Sequence, residues 1–88
     1  MCRNIRVLHN FQPPTTPDEI RAAALQYVRK VSGLNKPPLA DEAAFAAAID
    51  AVTAATTTLL SSLTSRGTVR TREGEREKAQ RRWQMRRP

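Results

Sequence analysis

Five of the six prolines fall in two short clusters, Pro13-Pro14-Pro17 and Pro37-Pro38, and these clusters constrain the fold more than any other feature. A residue before proline is pushed towards extended conformations, and proline inside a helix breaks it. The chain is therefore cut into an arm before Pro13, a helical segment between the clusters, and a second helical segment after Pro38.

The first cluster also starts a helix. In "TTPDE", Thr16 is placed to cap, Pro17 occupies the first turn, and Glu19 lies three residues after Thr16, which is a capping box. Asp18 and Glu19 favour the positive end of the helix dipole. Arg29 and Lys30, with Gly33 just beyond, provide the stop. The spacing predicts a helix from Pro17 to about Ser32, with Ile20, Ala24, Tyr27, Val28 and Val31 on its inner stripe and Leu25 off it. A second helix is predicted from about Asp41 to Leu63. Its stripe is Phe45, Ile49, Val52, Thr56, Leu59, Leu60 and Leu63, with Ala48 at the edge.

The back of the second helix lacks the charges of a solvated surface. No charged residue lies between Asp50 and Arg66, and the outer face offers Ala47, Ala51, Ala54, Thr57, Thr58, Ser61 and Ser62. Small uncharged residues permit close approach of another helix, so homo-oligomerisation through this face is expected beside the alternative of a poorly optimised exposed face. The length supports association, because 88 residues bury only a modest core.

Charge is uneven. Residues 1–65 carry six basic and five acidic side chains, while residues 66–88 carry nine and three. The composition after Ser65 predicts a disordered or transiently helical basic tail, helical from about Glu73, with Glu77 and Arg81 as a favourable pair. Domain limits of 1–65 and 66–88 follow. Arg70, Arg72, Arg76, Lys78, Arg81, Arg82, Arg86 and Arg87 are candidate contacts for nucleic acid or another polyanion, and Trp83 could stack on an unpaired base. A solubilising extension is the alternative.

The arm, "MCRNIRVLHNF", alternates loosely and reads as extended, lying across the helices because it has no strand to pair with. It holds the only cysteine, Cys2, which excludes an internal disulfide. Trimming of Met1 would set an α-amine beside the Cys2 thiol, and the nearby Arg3 and Arg6 also favour thiolate. Cys2 is thus either a reactive thiol with a redox or metal role or a small residue anchoring the arm. Cys2 and His9 supply two of the four ligands of structural zinc, so only a dimer would complete a site. No metal or cofactor is expected.

Catalysis finds little support. Asp18, Glu19, Asp41 and Glu42 all fall at helix starts, where capping accounts for them, and "SGLNKPP" lacks P-loop spacing. The early residues lack the apolar stretch of a signal peptide. No run of about 18 apolar residues predicts a transmembrane helix. A cytoplasmic location is expected.

The reading is an all-α helical hairpin with an extended N-terminal arm and a disordered basic C-terminal tail, acting as a non-enzymatic binding module that self-associates. The alternative is a thiol-based protein acting through Cys2. The motifs "MCRNI", "NF", the "PP-T" step, "EI-AAALQYVRK-SG" and the "KP" step, in that order, resemble the bacterial domain-of-unknown-function family 2277 over roughly residues 1–63. The resemblance implies a bacterial cytosolic protein and implies no activity.

Overall fold

The computed structural model describes residues 5–86 and is all-α. Helix α1 spans Pro17–Ser32, a single 3₁₀ turn spans Leu39–Asp41, α2 spans Glu42–Ser62 and α3 spans Arg72–Arg86. The described residues contain no strand.

The ends of α1 follow from local chemistry. Both halves of the capping box form: the Glu19 amide donates to the Thr16 hydroxyl at 3.2 Å, and the Thr16 amide donates to Glu19 Oε1 at 2.8 Å. Gly33 adopts φ +73°, and its amide returns to the Arg29 carbonyl at 2.9 Å. A Cβ added at Gly33 would meet no atom, so only the left-handed backbone resists a side chain there. Gly33→Ala is therefore expected to cost about 1 kcal/mol, with helix content unchanged before the transition. Thermal melting followed by circular dichroism checks this.

Helices α1 and α2 pack into the hairpin. Among the described residues Ile20, Ala24, Val28 and Ile49 are buried, and Leu25, Phe45, Ala48 and Val52 pack against Ala24, Val28 and Ile49. Two members of the expected α1 stripe lie outside the seam: Tyr27 is 47% and Val31 65% exposed. The seam instead follows the i, i+4 row Ile20–Ala24–Val28, which drifts around the helix and carries Leu25 into contact. On the second stripe, Phe45, Ile49, Val52, Thr56 and Leu60 are buried or half-buried, while Leu59 and Leu63 are exposed. Opposite the latter lies the start of α1, where only Ile20 is fully covered. Arg21 and Asp50 join the helices at the surface at 2.8 Å. Both ends are more than half exposed, so this pair contributes little.

The arm is not a lone extended segment. Phe11 makes a parallel bridge with Arg70, in which the Gln12 amide donates to the Arg70 carbonyl at 2.9 Å and the Arg70 amide to the Asn10 carbonyl at 2.8 Å. The arm thus finds its backbone partner beyond α2, in the segment that composition assigns to the tail. The sequence boundary after Ser65 falls just before these residues. Residues expected to be disordered or transiently helical form α3, whose first turn is capped by Thr71 accepting from the Gly74 amide at 2.9 Å. Lys78 pairs with Glu75 at 3.1 Å. Helix α3 packs against no other helix among the described residues.

The stretch Leu39–Ser62 is long and apolar enough, by length and composition, to cross a membrane. This differs from the expectation of no such segment. The alanines, threonines and serines of α2 are individually weak signals, but together they leave few charges in a long helix.

Candidate functional site

The densest set of polar contacts gathers around Arg72, the first residue of α3. Its Nε donates to Glu19 Oε2 at 2.9 Å and its Nη2 to Glu19 Oε1 at 2.7 Å, a two-pronged pair. Nη1 donates to the Pro13 carbonyl at 2.9 Å, and Nη2 also reaches the Pro14 carbonyl at 3.1 Å. The guanidinium lies 5.5 Å from the centroid of the Phe11 ring. One side chain thereby joins the arm, the start of α1 and the start of α3. The hydrogen bonds from Arg72, then the Thr16 amide, hold the Glu19 carboxyl at about 2, well below its usual value. Glu19 Oε1 therefore caps α1 while both carboxylate oxygens anchor α3.

Neighbouring contacts extend the join. Arg70 Nη1 donates to the His9 carbonyl at 2.8 Å. Asn10, held at φ +64°, donates through Nδ2 to the carbonyls of Arg66 at 3.2 Å and Thr68 at 3.3 Å. Asparagine is among the few side chains that tolerate this backbone region. His9 Nε2 lies 3.3 Å from the Thr64 carbonyl. A carbonyl only accepts, so in this contact Nε2 is the donor.

Beneath the arm lies an open cleft of about 430 Å³. Leu8, Phe11, Ile20, Leu60 and Val69 give it apolar walls, and His9, Thr57 and Ser61 are its polar edges. The Thr57 and Ser61 hydroxyls bond back to carbonyls of α2 and His9 Nε2 lies against the Thr64 carbonyl, so neither of these hydroxyls is hydrogen-bonded to the imidazole. Among the described residues no three His, Cys, Asp or Glu side chains converge as a metal site would require.

The structure divides the sequence candidates into two sets. Arg70 and Arg72 turn inward, bonded to carbonyls of the arm and to Glu19. Arg76, Lys78, Arg81, Arg82, Trp83 and Arg86 stand exposed along α3. Cys2 and Arg87 lie outside the described residues. The Arg72–Glu19 anchor is not legible in the sequence, because its partners are 53 residues apart and capping already explains Glu19. One local signal is present: Val69 and Thr71 alternate with Arg70 and Arg72, the period of an extended segment.

Along α2 several hydroxyls turn back onto the helix, Thr57 and Ser61 at the cleft edge and Ser62 on the outer face. Thr57 donates to the Thr53 carbonyl at 2.8 Å, Ser61 to Thr57 at 3.0 Å and Ser62 to Thr58 at 2.7 Å. Ser62 is thus satisfied within the helix, and beside the Thr58 hydroxyl the outer face offers mainly the methyl groups of Ala47, Ala51, Ala54 and Thr58.

Neither the curated proteins nor the solved structures contain a match to the chain. A family model does match, over residues 1–78, which takes in the arm, the hairpin, the Arg72 anchor and the first half of α3, and so reaches well past the limit near residue 63 expected from the motifs. On that match the chain belongs to the family described as "Uncharacterized conserved protein (DUF2277)".

Proposed function

We propose that the protein is a non-catalytic association module whose outer α2 face receives a second copy of the same chain. The observation that carries this reading is the chemistry of that face. Ala47, Ala51, Ala54, Thr58 and Ser62 are all exposed, no charge interrupts residues 51–65, and the Ser62 hydroxyl is already bonded within the helix. Burying such a face leaves few donors without partners. Area supports it as well. A folded monomer of 9.8 kDa exposes about 5,200 Å² by size scaling, whereas this chain exposes 7195 Å². The difference, about 2,000 Å², exceeds the roughly 800 Å² that each partner of a stable interface covers.

A second copy fits α2 better than a bilayer does. Asp50 sits near the middle of the Leu39–Ser62 stretch, bonded to Arg21 of α1. A carboxylate at the centre of a membrane helix costs about 3 kcal/mol.

Sedimentation of the full chain at about 100 μM tests the reading, since even micromolar dimers form at that concentration. A dimer is expected. Ala54→Glu with Thr58→Glu should yield a folded monomer, with dimer affinity down by more than about a hundredfold, because two carboxylates from each copy would meet in the seam. A wild-type monomer at that concentration sinks the idea. Partition of wild type into neutral vesicles would show that α2 meets lipid instead.

A further inference from the structure

We infer that α3 is a charge-segregated helix that binds double-stranded nucleic acid along one side. At 3.6 residues per turn, Arg81, Lys78, Arg82 and Arg86 follow one another within about 140° of the circumference, and Trp83 and Arg76 continue the arc to about 220°. Glu73, Glu77, Gln80 and Gln84 occupy the opposite strip, where no basic residue falls. The one carboxylate on the basic flank, Glu75, lies in the first turn and pairs with Lys78 at 3.1 Å. Arg76 to Arg86 spans about 15 Å of helix. All of these residues from Arg76 onward are exposed, and α3 packs against no other described helix, so the flank is open along its length.

The partner follows from what the helix lacks. A helix that lies on a membrane needs an apolar face. Here Trp83 and Met85 project to nearly opposite sides of α3. Arginine predominates over lysine, and its planar fork matches phosphate and guanine edges. A single strand would be served as well by a flexible cationic tail, but this segment is a capped rod anchored at its base by Arg72. A rod of this width enters a major groove about 12 Å wide. This proposal does not depend on self-association.

Helix α3 has no tertiary packing to sustain it, and a 15-residue helix is marginal in water, so duplex binding should also raise helix content. The test is anisotropy titration of the full chain against a labelled 20-bp DNA duplex, the same sequence as a single strand, and vesicles of phosphatidylcholine and phosphatidylglycerol at 3:1. With about four free cations engaged, log K against log salt should fall with a slope of about −3.5 to −4.5, or roughly 150- to 500-fold between 50 and 200 mM salt. Duplex should bind more tightly than single strand, with ellipticity at 222 nm growing on saturation. The variant Arg81→Glu/Arg82→Glu/Arg86→Gln should lose at least about fiftyfold while melting as wild type, since these side chains touch nothing in the hairpin. Binding by that variant within threefold of wild type overturns the proposal. So does equal or tighter single-strand binding, binding to vesicles alone, or no duplex binding at 50 mM salt.

Discussion

Ile49→Ala is expected to destabilise the protein by about 2–4 kcal/mol, which at this size removes most of its folding free energy. Ile49 is the only buried residue of α2, and it meets Ala24 and Val28 from α1 at the centre of the core. Two of its buried neighbours, Ala24 and Val28, are small to medium in size and cannot fill the space left by three lost carbons. A small domain loses roughly 4–8 °C of melting temperature per kcal/mol, so a fall of at least about 10 °C is expected. The comparison is Val31→Ala. Val31 is 65% exposed although it shares the predicted stripe, and its loss should cost under about 0.5 kcal/mol. Both melts must be run at one protein concentration, because association would add to apparent stability. Equal effects of the two substitutions would place the core elsewhere.

The second large effect concerns Glu19 and acid. Its carboxyl titrates at about 2 in the folded protein against 4.5 for an ordinary glutamate. The folded value is the lower one, so the unfolded chain takes up the proton first as pH falls. The stability tied to Glu19 is therefore fully present above about pH 5 and is lost progressively as pH falls towards 2. The side chain remains about one-third exposed, and solvent screening reduces its contribution to about 1–2 kcal/mol. Glu19→Gln should lower stability by that amount at pH 7 and flatten the difference from wild type below pH 3. Arg72→Ala should remove the larger part of that pH dependence, the Thr16 cap keeping the rest. In that variant the amides of Gln12 and Arg70, which bridge arm and tail, should lose protection from hydrogen exchange before those of α1 and α2. Chemical denaturation at stepped pH and native-state exchange check both. A wild-type pH profile unchanged by either substitution would mean the pair contributes nothing in solution.

A single cluster of polar contacts thus does two structural jobs, and this affects the reading of the basic segment. Arg70 and Arg72 are not free cations: they hold the arm and set the direction in which α3 leaves the hairpin. The cations that remain stand on the outer turns of α3. Removing Arg72 would alter where α3 points without altering what it presents, whereas Arg81, Arg82 and Arg86 alter what it presents and leave its anchor intact.

Local chemistry by itself determined the limits of the first two helices. Thr16, Pro17 and Glu19 define the start of α1, Gly33 defines its end, and Pro37, Pro38 and Asp41 place the start of α2. These signals act within a few residues of each other, so they are legible along the chain. The uncharged outer face of α2 was legible for the same reason. Tertiary structure decided the rest. Which residues of α1 meet α2 depends on the direction of the packing seam, which periodicity alone does not specify, and so Leu25 came in while Tyr27 and Val31 stayed out. The partner of the arm, and the anchoring of α3 through Arg72 and Glu19, join residues more than 50 positions apart. No local pattern records such a pairing: an arginine bonded to a carboxylate and an arginine facing water are the same letter until the chain has folded.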